Sequence, residues 1–319
     1  MIDFRYHIVS IVSIFIALGV GIVLGAGPLK GEIGSTLQSE VAGLRQDKTQ
    51  LNEDLTQAQG QLDQRDAFLS AVSDRVVRGA LEGQRVALVV LPGADAAVSE
   101  SVAEAVDAAG GTVASTTSVA REWVSADPDT AAARDQLVEQ VALDTGTDLS
   151  QVDGGMPQDV LLAQLLTRSA PVSTTGPDTV SASEGLQALS DGGLISFDAP
   201  DFARAELAVV VAGAVTDGTE EDRTATAQRW VGLAAALESE ARGVVLASDV
   251  GAEADGVSVL AALRGDEDAR GVVSGVDDAG DPTGIASVVF ALDEQISGDS
   301  GQYGLAPGAD APFAPVPGS

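Results

Sequence analysis

Cysteine is absent from these 319 residues, which removes disulfides, thiol nucleophiles and thiolate metal sites together. The compartment stays open, because an exported protein need not carry disulfides. Histidine occurs once, at His7, so no imidazole cluster can form around a metal, and beside the apolar segment that follows it this one imidazole is out of place for a Ser–His–Asp set. Aromatic residues make up 3% of the chain, too few for the girdles that frame a transmembrane barrel. Positive charge is scarce as well: 17 Lys and Arg stand against 48 Asp and Glu, a formal charge of −31. That surface repels phosphate backbones and anionic headgroups, which excludes nucleic acid as a partner and confines membrane contact to an apolar segment.

One such segment is present. Residues 8–27, IVSIVSIFIALGVGIVLGAG, contain no ionisable side chain, and as a helix they would measure roughly 30 Å, the thickness of a bilayer core. A cleaved signal peptide is the alternative, with Gly25, Ala26 and Gly27 offering a cut site, but its apolar core would span only about 7–15 residues. The reading is therefore an uncleaved signal anchor behind a short head, residues 1–7. Arg5 and the α-amino group precede the span and Lys30 and Arg45 follow it, so the positive-inside count is nearly balanced. The short head and the long acidic remainder favour the amino terminus inside and the bulk outside the cytoplasm. His7 sits at the lipid interface with Phe4, Arg5 and Tyr6, where it reads as an anchor and not a ligand. Gly21 and Gly25 form a small-xxx-small pair, a weak signal for close approach of two spans.

Residues 32–79 carry a seven-residue apolar period. With Val41, Lys48, Leu55, Leu62, Leu69 and Val76 at a, the d positions are Leu37, Leu44, Leu51, Ala58, Arg65 and Val72. A narrow apolar stripe on a polar helix predicts a coiled-coil stalk and a homodimer; a single amphipathic helix lying on its own domain would want a broader face. Lys48 and Arg65 in the seam would lower stability while fixing the register.

From residue 84 to 297 the pattern changes to buried strands and helices. Residues 85–91 form a continuous β-branched and aliphatic run ended by Pro92 and Gly93; 99–109 is helical, 112–119 strand-like. Helices follow at 131–142, 159–169, 183–189, 224–241 and 284–296, with strands at 193–197, 207–212, 243–247 and near Val272 and Val273. The fold class is α/β: an N-terminal transmembrane helix, a long coiled-coil stalk, then a Rossmann-like parallel-sheet domain. Residues 298–319 hold too little apolar area to fold and read as a disordered tail.

Candidate chemistry is sparse. The turn Leu91-Pro92-Gly93-Ala94-Asp95 lacks the spaced glycines of a dinucleotide site, and Asp95 would repel phosphate. Asp144 and Asp148 with Asp153, and Asp277 and Asp278 with Asp281, bring carboxylates together, yet neither spacing matches a calcium loop and both suit solvated turns. No catalytic, cofactor-binding or metal-binding residue is assigned, and the chain reads as no enzyme.

Taken together, residues 1–8 (MIDFRYHI), the strand and turn 86–95 (VALVVLPGAD) and the closing 301–304 (GQYG) resemble the actinobacterial copper transport outer membrane protein family, MctB, members of which are also described as SteB. The resemblance spans nearly the whole chain. It implies an envelope protein with a role in copper efflux, copper being its implied partner; under the second description it implies a partner of cell-separation or wall-hydrolase machinery. Copper(I) prefers thiolate and thioether ligands, and the candidate donors here are Met1, Met156 and the imidazole of His7, which form no chelating set. The residues themselves thus suggest an anchored, non-enzymatic scaffold with an envelope protein partner, while the resemblance suggests copper homeostasis.

Overall fold

The computed structural model describes residues 4–149, 155–169, 176–199, 201–249 and 256–317, with the side chains of 26–36 and 39 excepted. Met1, Asp3, Asp153 and the side chain of Lys30 lie outside the described residues. The chain divides into two compact units, Met1–Arg65 and Asp66–Ser319.

The first unit is helical throughout its described length, as part of α1 (Phe4–Val76). Within it, Phe4–Gly25 is long and apolar enough to cross a membrane, with a mean hydropathy of 2.7. It begins four residues ahead of the uncharged run, because Phe4 and Tyr6 extend the apolar surface past Arg5. Ser13 donates its hydroxyl to the Val9 carbonyl at 2.8 Å, so the polar group is satisfied within the helix. Farther along, Leu37, Leu44, Leu51, Leu55 and Leu62 are all exposed.

The second unit contains β1 (Arg85–Val90), α2 (Ala96–Ala108), β2 (Thr112–Val119), α3 (Pro128–Thr145), α4 (Pro157–Leu166), α5 (Thr179–Asp191), β3 (Ile195–Asp198), β4 (Leu207–Ala212), β5 (Ala214–Val215), α6 (Glu220–Glu240), β6 (Gly243–Ser248), β7 (Val257–Ser258), α7 (Val259–Gly265), β8 (Ser274–Val276), α8 (Pro282–Ser297) and β9 (Gln302–Tyr303). Among the described residues seven strands form one open sheet in the order β3-β2-β1-β4-β6-β8-β9, and β5 pairs with β7 separately. Alternation along the strands divides the core in two. Ala87, Val89, Val210 and Leu246 face α3 to α7, whereas Val86, Leu88, Val209 and Val245 face α2 and α8. Strands β4 and β6 are buried along their whole length, as the uninterrupted apolar runs require.

Helix boundaries follow capping chemistry. Asp95, Asp127 and Asp178 accept from backbone N–H groups of α2, α3 and α5, and Thr219 with Asp222 forms a capping box on α6. After Val76 the chain turns through Gly79 (φ 85°), so that Gly79 and Leu81 both donate to the Ala109 carbonyl, at 3.1 Å each.

Three expectations are corrected. The sheet is mixed, not parallel throughout: β3 runs antiparallel to β2, with Thr117 opposite Phe197. Gly192 and Gly193 turn the chain straight from α5 into β3, and at an edge a reversed strand has only one neighbour to satisfy. The strand foreseen at Val272 and Val273 lies at Ser274–Val276, after a 3₁₀ turn. The segment after 298 is no disordered tail among its described residues: β9 pairs in parallel with β8, and Gln302, Tyr303 and Ala314 are buried. Apolar area alone underestimates this segment because polar bonds hold it. Asp277 accepts from Leu305 and Ala306 N–H at 2.7 and 2.9 Å, and the Gln302 amide donates to the Val273 carbonyl at 2.9 Å.

Candidate functional site

Strand order reverses between β1 and β4: the crossover from β1 leads to β2 on one side, and later strands add on the other. Loops leaving the carboxyl ends of two such strands diverge and leave a crevice, the usual ligand position in open α/β sheets. Here the crevice is a cavity of about 420 Å³. Its floor is the crossing of two glycine turns, where Gly93 has φ 84° and a β-carbon on Gly213 would overlap the Gly93 carbonyl. Its apolar walls are Pro92, Val124, Ala214, Val215 and Trp230.

One wall is the 3₁₀ turn Arg121–Val124. The buried Arg134 of α3 donates to the carbonyls of Trp123 and Ser125, both at 3.1 Å, and Gln158 adds a bond to the Trp123 carbonyl at 3.3 Å. Trp123 donates its indole N–H to Asp159 Oδ1 at 2.7 Å. Burial pushes the Asp159 carboxyl up to about 7, against the pull of Trp123 and Arg134. The opposite wall is the first turns of α6. Thr219 holds Asp222 through both its hydroxyl and its N–H, and these bonds lower the Asp222 carboxyl below its ordinary range. Arg121 pairs with Asp217 across the rim. Arg229 donates from Nη1 to the Val124 carbonyl at 3.0 Å, tying the two walls together, and makes no other hydrogen bond among the described residues.

The residues singled out from sequence fall elsewhere or serve the fold. Pro92 and Gly93 do line the cavity, while Asp95 caps α2 by accepting from Ala97 N–H at 2.9 Å, so the place of a phosphate is filled by a carboxylate. Asp277 forms a buried ion pair with Arg264 at 2.7 Å and grips the 305–306 backbone. Asp278 is buried beside it and pushed up to about 6, by burial first and then by the Asp277 charge. Asp144 accepts from Gln140 on the same helix at 2.9 Å. Met156 precedes α4, with its sulfur 3.4 Å from the Gln158 amide, and His7 is exposed on α1. Among the described residues no three His, Cys, Asp or Glu side chains gather where they could hold a metal ion. Sequence reasoning missed Arg121, Arg229, Trp123, Trp230 and Asp159. The signal was there in part, since both tryptophans of an aromatic-poor chain converge on this one place.

Comparison with known proteins covers both units. The family model described as "Copper transport outer membrane protein, MctB" matches residues 1–314. The Copper transporter MctB of Mycobacterium tuberculosis (strain ATCC 25618 / H37Rv) is 31% identical over 254 residues, 77% of this chain and 78% of that protein. The protein of the same name from Mycobacterium leprae (strain TN) is 30% identical over 321 aligned positions, 99% of this chain and 100% of the relative.

Proposed function

The chain belongs to the MctB family, and on that premise we propose that it serves copper homeostasis as a single-pass envelope protein, with residues 32–319 outside the cytoplasm. The carrying observation is the extent of the match: it runs from residue 1 to 314 and so includes the apolar helix as well as the α/β domain. The cell-separation scaffold is the weaker reading, because the relatives named above are copper transporters.

Copper would be cargo here, and the donor set limits how this chain handles it. A tight copper(I) site needs soft ligands, and the chain supplies no thiolate. The role proposed is therefore non-enzymatic and rests on a protein partner in the envelope that carries the ligands, with this chain as an anchored dimer joined along the stalk. Deleting the protein in its own host should raise cellular copper and copper sensitivity, and the full chain should restore both. Unchanged copper content in the deletion strain would overturn the proposal.

A further inference from the structure

We propose that the cavity at the carboxyl ends of β1 and β4 is a binding site for a small monocarboxylate with an apolar body. Nothing in the copper reading requires this site. Its floor is two glycine turns in backbone contact, one wall is clamped by Arg134, and the other is fixed by the capping box of α6. The space is thus formed before any ligand arrives, and about 420 Å³ lies within the range of known small-molecule pockets, roughly 300–1,000 Å³.

The chemistry of the lining selects the ligand. Of the four charged side chains at the cavity, Arg121 is neutralised by Asp217, and Asp222 is committed to the α6 cap. Arg229 remains, with one of its five donors used on Val124. A guanidinium presents donors in a fork that fits a carboxylate with two parallel bonds, and one guanidinium balances one negative charge. A phosphate dianion would bring a second charge beside the Asp222 carboxylate, in a protein of net charge −31. Below the rim, the half-buried Pro92, Ala214 and Val215 offer apolar surface that a free carboxylate or inorganic anion would leave unused. The matching molecule has one carboxylate at Arg229 and a hydrocarbon or ring body along Pro92, Ala214 and Val215.

The chain carries its own reporters, since its two tryptophans are Trp230, in the lining, and Trp123, in the clamped wall. The experiment titrates the full chain in detergent with 3-cyclohexylpropionate, which is optically silent, and follows tryptophan emission. Neutral 3-cyclohexylpropionamide and inorganic phosphate serve as comparisons. A saturable change is expected with the carboxylate, with the amide and phosphate about tenfold weaker or more. Arg229→Met should weaken binding by a similar factor. Ala225→Leu, which keeps Arg229 and fills the cavity, should also weaken it; this variant carries the test if Arg229→Met does not fold. Absence of saturation by about 10 mM carboxylate, equal binding of acid and amide, or wild-type binding by a folded Arg229→Met protein would each overturn the proposal.

Discussion

Asp159 is a buried carboxyl held against Trp123, and Glu238 on α6 is a half-buried one. Burial raises them to about 7 and about 8. The native state therefore keeps protons on these groups at a pH where the unfolded chain has lost them. Their contribution to stability is fully present below about pH 4 and is lost as pH rises through 7 and 8. The capping carboxylates Asp127, Asp178 and Asp222 work the opposite way: their hydrogen bonds lower them, and stability is lost only as pH falls below the ordinary carboxylate range. Melting temperature is thus expected to be highest near pH 5 and to fall toward pH 8.5. Asp159→Asn keeps an oxygen for the Trp123 N–H, and Glu238→Gln keeps the shape, so the double variant should flatten that fall. Circular dichroism melts across the pH range check it, and an unchanged slope would remove these two groups as the cause. None of this was legible in sequence, where Asp159 looks like an ordinary acidic residue in the first turn of a helix. Only the packing of α4 and α6 around it makes it unusual.

At the scale of elements, legibility followed the length of the apolar run. β4 (LAVVVA) begins and ends where the pattern placed it, because an apolar run between Glu206 and Gly213 leaves little freedom, and β2 (TVASTTSV) does so because its Thr and Val residues between Gly111 and the 3₁₀ turn are strand formers. The two-residue strands β5, β7 and β9 carry no period to detect, and each exists because a neighbour supplies the partner edge. α1 stands between these cases. Its helical period is evident, but the last seam positions Leu69, Val72 and Val76 line a groove with Ala286, Phe290 and Phe313 inside the second unit. The seam left for a second copy runs from Leu37 to Leu62, where five leucines remain exposed. Full burial contributes about 1.5–3 kcal/mol for each such side chain, which has to exceed the entropy lost on association. Sedimentation of residues 32–319, which retains β9, should find a dimer, and Leu55→Asp with Leu62→Asp should make it monomeric. A wild-type fragment that sediments as a monomer at micromolar concentrations would remove the zipper.

For the whole molecule the distribution of charge sets the remaining question, which side of the membrane the second unit occupies. Arg5 before the uncharged run 8–27 is matched by Lys30 and Arg45 after it, so basic residues alone hardly bias insertion. The acidic residues that dominate the rest contribute little to orientation, and long domains cross largely regardless of charge. The orientation put to the test is the amino terminus inside, with the second unit translocated. Because the chain has no cysteine, a single introduced thiol reports its own location without background. Gln59 on α1 and Gln136 on α3 are exposed, and neither lines the switch-point cavity. Gln59→Cys and Gln136→Cys are each expected to react with an impermeant maleimide on intact cells after gentle removal of the wall. Reaction of both only after lysis would place the domain in the cytoplasm and with it reverse the envelope role, since a partner carrying copper ligands would then have to be met on the inner face.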